Sequence, residues 1–178
     1  MSLETILKYC NFHETKKFNI DHITIDQTVR DMCAQNSCGQ YGKNHMCPPL
    51  IQGINEWKKE ISFFKHALIV TKVYPKKNSF DLKAMIEGMA DFNNRLLKVK
   101  ESLVNRMNGK KILVLGAGSC SLCKKCASIE NAPCRFPEKA FPSVEACGID
   151  VIRLCREIGV NYNNGQNTIT YIGLILQQ

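Results

Sequence analysis

The sequence predicts an α/β fold: a single compact domain over residues 1–178, with a small mixed sheet, flanking helices and a cysteine-rich cluster loop. Three observations lead there. Apolar runs of strand length at 67–74, 111–115 and 168–176 alternate with stretches of helical periodicity at 51–64, 81–107 and 142–158. A chain of 178 residues with 44% apolar side chains can fill one core. Four cysteines, Cys120, Cys123, Cys126 and Cys134, crowd the stretch between the second apolar run and the last helical one.

In chain order, residues 1–10 read as a short amphipathic helix with Leu3, Ile6 and Leu7 on one face. Phe18 to Ile25 alternates apolar and polar as a half-buried strand does, and a helical turn over 26–32 then delivers Cys33. Residues 33–50 are loop-like. Ile54, Trp57, Ile61 and Phe64 recur at three or four residues, as a helix requires. The run 67–74 is a buried strand ended by Pro75. Leu82, Met85, Ile86, Met89, Phe92, Leu96, Val99 and Leu103 mark the longest helix, about 40 Å if unbroken, with Ser79 as N-cap and Gly109 as stop. The run 111–115 is a short strand, 142–158 a helix started by Pro142 and stopped by Gly159, and 168–176 a closing strand. This order places the cysteine loop at the C-terminal edge of a strand.

The spacing Cys120-x2-Cys123-x2-Cys126-x7-Cys134 is the strongest chemical signal. A short loop of this kind aims successive thiolates at successive corners of an iron–sulfur cube. Structural zinc usually takes two ligand pairs from separate knuckles, so a [4Fe–4S] cluster is the favoured reading and zinc the alternative. Gly116 and Gly118 lead into the loop; with no third glycine they do not make a dinucleotide fingerprint, and they are expected to bring the backbone close to the cluster.

Cys33, Cys38 and Cys47 form a second group in a glycine-containing loop, where ordinary core burial is a poor explanation; Cys10 and Cys155, on helical faces, suit that explanation better. A second metal site is expected there, with His45 or Cys147 as candidate fourth ligand. Three thiolates alone would leave one iron open to substrate, so an enzyme remains an alternative to an electron carrier, and a zinc-stabilised adaptor a third class.

The 10 cysteines, an amino-terminal stretch without signal-peptide character and the lack of any bilayer-spanning apolar run predict a soluble, cytoplasmic protein without a disulfide framework or a membrane association. The formal charge of +8 falls to about +6 once a four-thiolate cluster is counted as a dianion. The lysine pairs lack interleaved aromatics, which argues against nucleic acid. Lys124 and Lys125 inside the cluster loop could instead tune the cluster or attract an acidic redox partner protein. The oligomeric state has no signature.

Cys38-Gly-Gln-Tyr41-Gly42, then Cys47-Pro-Pro, then Gly118-Ser-Cys120 through Cys134-Arg-x-Pro137, then Pro142-Ser-Val-Glu145-Ala-x-Gly148-Ile-Asp150 together resemble the DUF2284 family of predicted metal-binding proteins, from Cys33 to the last strand. The resemblance implies a metal cofactor on Cys120, Cys123, Cys126 and Cys134 and an amino-proximal set of Cys33, Cys38 and Cys47, but no reaction. The chain departs from the family at Val144 and Cys147. Ser143 and Glu145 read as the cap and first turn of a helix; the functional alternative has Glu145 or Asp150 moving protons at the cluster and Arg135 holding an anion. Tyr41 reads as packing on the Cys38 to Cys47 loop, with proton donation as its functional alternative.

Overall fold

Two ten-residue strands pair along their full length and carry the molecule. In the computed structural model, which describes residues 3–105 and 111–178, these are β2 (His66–Pro75) and β4 (Thr168–Gln177). They run antiparallel, with Ala67 opposite Leu176 and Val70 opposite Gly173. β1 (Glu14–Asn19) pairs with the outer edge of β2, and β3 (Ile112–Leu115) with the outer edge of β4, giving the order β1-β2-β4-β3.

The α/β class holds, but all three ladders are antiparallel where a mixed sheet was expected. The reason is topological. β2 and β3 point the same way and are joined by a long helix, as in a parallel crossover, but β4 lies between them and runs against both.

Both faces of the sheet are covered, which is why the central strands read as unbroken apolar runs and not as an alternation. Ala67, Ile69, Ile172, Leu174 and Leu176 face a core shared with α3 (Ile54–Ile61) and α5 (Val151–Ile158) through Trp57, Ile61, Leu154 and Ile158. Leu68, Val70 and Ile175 face α1 (Leu3–Tyr9) and α4 (Leu82–Val104) through Ile6, Leu7, Phe92, Leu96 and Val99. Phe92, Leu96 and Val99 are each 0% exposed. At about 1.5–3 kcal/mol per fully buried side chain, this stripe fixes α4 more firmly than its intrinsic helix propensity does.

Several boundaries differ from the sequence-based expectations. The first strand covers Glu14–Asn19 because β2, its partner, begins at His66 opposite Asn19; beyond that point nothing is left to pair with, and a turn of 3₁₀ helix takes Ile20–His22. The turn expected after Ile25 becomes α2 (Gln27–Ala34), capped by Asp26 through Thr28 N–H. Asp81, and not Ser79, caps α4, accepting from Ala84 N–H at 3.2 Å and Lys77 N–H at 2.9 Å. The predicted end of that helix at Met107 and its stop at Gly109 lie outside the described residues. The helix expected over 142–158 is two pieces: a 3₁₀ turn, Glu145–Cys147, ends at Gly148 with φ +84°, and Asp150 then caps α5. Among the described residues no helix is long and apolar enough to cross a membrane.

Candidate metal centre

β3 delivers the chain into the cysteine loop at Gly116. Its backbone bonds to the segment after the loop, with Gly116 N–H donating to Pro142 O at 2.8 Å and Val144 N–H to Gly116 O at 3.0 Å, so the two ends of the loop are tied together. Asn93 of α4 clamps Ala117 from both sides, its amide donating to the carbonyl at 2.8 Å and its oxygen accepting from the N–H at 3.1 Å. A Cβ on Gly116 would sit 2.6 Å from Asn93 Oδ1, and Gly118, at φ +63°, passes under Met89. The glycines therefore allow the close approach of α4 and Phe141.

Cys120, Cys123, Cys126 and Cys134 line one cavity, walled also by Asn44, His45 and Phe136. Its inner wall comes from the amino-proximal loop: Asn44, only 4% exposed, donates to Cys120 O at 2.8 Å and accepts from Met46 N–H at 3.0 Å. His45 N–H points at Cys126 Sγ at 3.5 Å, and its ring nitrogen lies 2.9 Å from Ala132 O. Burial pushes the Cys126 thiol up, but the Ser128 hydroxyl and the amides of His45, Ser128 and Ala127 outweigh it, so the site favours a thiolate there. Cys120 is raised, first by burial; the Leu122 N–H opposes this, and the charges of Cys134, Cys126 and Cys123 add to it. Thiolates that repel one another around a shared space are the donor set a cationic metal core relieves. Among the described residues no three His, Cys, Asp or Glu side chains close on a single-ion position.

The amino-proximal thiols are brought next to this cavity. Cys33 lies on the last turn of α2, Cys38 is exposed in the loop, and Cys47 is buried. Cys47 is pushed up to about 12, first by burial and then by Cys38, Cys33, Cys120 and Cys126, so it stands between the two sets. Neither fourth-ligand candidate joins the amino-proximal set. His45 turns to the Cys120 set, and Cys147, 0% exposed, packs in the core with Val144 and Ile149.

The remaining polar candidates separate cleanly. Asp150 caps α5 through Arg153 N–H at 2.9 Å, and Ser143 Oγ caps the 3₁₀ turn through Ala146 N–H at 3.1 Å. Arg135 lines the thiol cavity, and its guanidinium donates to Lys125 O at 2.9 Å and reaches Glu130 at 3.5 Å, bracing the cysteine loop. Lys125 pairs with the same Glu130 at 3.1 Å. Tyr41 lines a groove with Arg30, Pro48 and Pro49, on the Cys38 to Cys47 loop as expected. Glu145 stands in a crowded recess with its side chain still open to solvent; the crowding raises its pKa against the backbone amide and Ser143 bonds, and its charge acts on Cys33.

Asn44, Asn93 and Arg30 are site residues that sequence reasoning did not find. Asn93 left a readable signal, a polar side chain beside the Met89–Phe92–Leu96 stripe. Asn44 and Arg30 act through partners 76 and 22 residues away, which no local pattern encodes.

A two-faced antiparallel sheet whose edge strand feeds a thiol-lined cavity defines a cysteine-rich α/β protein of the metal-binding class. The chain belongs to the DUF2284 family, described as predicted metal-binding proteins, whose model matches residues 16–177. No curated protein and no solved structure matches it.

Proposed function

We propose that this protein is an iron–sulfur redox protein that holds a [4Fe–4S] cluster on Cys120, Cys123, Cys126 and Cys134 and works in electron transfer. The observation that carries this reading is the single cavity lined by all four thiols of the Cys-x2-Cys-x2-Cys loop. A cube takes one thiolate at each corner, which suits sulfurs spread around a cavity; zinc would need all four within about 2.3 Å of one point. When bound, such a cluster takes up and releases single electrons. The chain's own contribution is to hold the ligands and set their charge. Asn44 fixes the Cys120 backbone, and the His45 N–H donates to Cys126 Sγ, a donor of the kind that raises a cluster's potential.

Access for a partner lies on the outer side of the loop. Lys124 is exposed and has no carboxylate partner among the described residues, while Lys125 is neutralised by Glu130, so Lys124 is the cation offered to an acidic redox protein. The ten cysteines, none in a disulfide, fit a reducing compartment such as the cytoplasm. Cys33, Cys38 and Cys47 form a second candidate centre beside the first. The test is anaerobic purification followed by iron, sulfide and zinc quantitation. Brown protein with matching iron and sulfide is the expected result; colourless protein with stoichiometric zinc would overturn the reading.

A further inference from the structure

Apart from the thiol cavity, the molecule has a groove of about 280 Å³, close to the lower end of the ~300–1,000 Å³ that small-molecule sites occupy. Its wall includes Arg30 and Asp31 of α2, Tyr41, Pro48 and Pro49 of the loop that follows, and Ile54 at the start of α3; no cysteine lines it. Arg30 gives the groove its chemistry. It is only 9% exposed, and its guanidinium is held in place by donating to Gln52 O at 2.9 Å and Ile51 O at 3.4 Å. Those bonds leave the other N–H groups of the fork without a partner among the described residues. The carboxylates nearby are Asp31, which accepts from Gln27 Nε2 at 2.8 Å, and Glu56, which folds back towards Gly53; neither forms an ion pair with Arg30. The amino end of α3 has the same polarity. Gly53, also in the wall, caps it with no side chain, so its first-turn N–H groups lack that acceptor.

We propose that this groove binds a small monocarboxylic acid with an apolar body, its carboxylate on Arg30 and its body against Tyr41, Pro48 and Ile54. A guanidinium fixed by two carbonyls offers its remaining donors in the planar fork that matches a carboxylate, and fixing it beforehand removes part of the ordering cost of binding. The Tyr41 hydroxyl, with no partner among the described residues, is a further donor in the same wall. The proline and isoleucine side chains offer nothing to a hydrated inorganic ion, so the ligand that fills the groove carries apolar surface as well as charge. Asp31 limits that charge. A carboxylate in the wall repels a second negative charge, so a monoanion suits the groove better than a dianion. This ligand site adds to the redox reading and does not rest on it, because none of the cluster thiols lines the groove.

The test is calorimetric titration of the full chain, purified anaerobically, with 3-phenylpropionate, its amide, phenylalanine and inorganic phosphate. The acid should bind saturably with a Kd of about 1 mM or tighter, and the amide and phosphate about tenfold more weakly or worse. Phenylalanine should also bind more weakly than the acid, because its ammonium has to be desolvated against the apolar wall. Arg30→Gln should weaken the acid about tenfold or more and leave the amide unchanged, and Arg30→Lys, which keeps the charge without the fork, should recover part of the loss. Because Arg30 also holds two carbonyls, Ala34→Leu is the second variant. Ala34 is exposed, lines the groove and ends α2, so a leucine there fills the groove while preserving the helix. It should abolish binding with an unchanged circular dichroism spectrum. No saturable binding of the acid by wild type, equal binding of the amide, tighter binding of phenylalanine or phosphate, or wild-type affinity in both Arg30→Gln and Ala34→Leu would overturn the proposal.

Discussion

The two cysteine loops are built by different means. The Cys120 to Cys134 loop is closed locally: its thiols are three or eight residues apart, its ends are tied by the Gly116 to Pro142 and Val144 bonds, and Arg135 and Lys125 brace it through Glu130. The Cys33 to Cys47 loop covers the same 14-residue span with three thiols, five and nine residues apart, and is positioned from outside. Ile25 bridges to Ile149, Asp26 N–H donates to Gly148 O at 2.8 Å, and Asn44 reaches Cys120. Short covalent spacing brings the first group of thiols together locally. The second depends on contacts from elsewhere in the folded molecule.

That difference can be broken from its largest consequence to its smallest. Cys126→Ala should remove the metal of the carboxy-proximal centre outright, about four irons by quantitation, with the fold retained by circular dichroism because the sheet does not depend on the loop. Asn44→Ala should couple the two loops' fates. It strands buried partners at Cys120 O and Met46 N–H, which costs about 1–3 kcal/mol in denaturant unfolding and speeds iron loss to a chelator. If Asn44→Ala loses no iron faster than wild type, the loops are independent.

Asp91 sharpens the contrast from a region remote from both loops. Burial pushes its carboxyl up, but bonds from Arg95 at 2.6 Å and from the Tyr74 hydroxyl at 2.5 Å win and hold it below its ordinary 3.8. A depressed folded pKa gives stability that is present above 3.8 and lost as pH falls through the lower folded value. Asp91→Asn should therefore cost under about 1 kcal/mol at neutral pH, discounted for the partial exposure of the pair, and nothing in strong acid, with metal content unchanged throughout. Glu130→Gln is the mildest: both its ion pairs are exposed, so the unfolding midpoint should hold while the cysteine loop gains protease sensitivity.

What could be read from the sequence follows the same division. The stripe of α4 is periodic and local and stands as read, and the four locally spaced thiols do line one cavity. The segment 142–158 misled because its apolar content has helical density, whereas Gly148 at φ +84° breaks it and Asp150 restarts it. Residues 18–25 alternate as a strand does, but a strand lasts only as long as its partner. The contact made by Asn44 was hidden for a related reason. A clamp is defined by what lies across the molecule, and a single chain read in order does not say what that is.

The insertion of β4 between β2 and β3 also dictates a timetable. During synthesis β2 and β3 emerge long before residues 168–177, and neither can bond to the other. Until β4 leaves the ribosome, the strand that feeds the cysteine loop has no neighbour, and the clamp from Asn44 has no fixed target. The strand that feeds the thiols is therefore anchored in the sheet only once β4 has joined it.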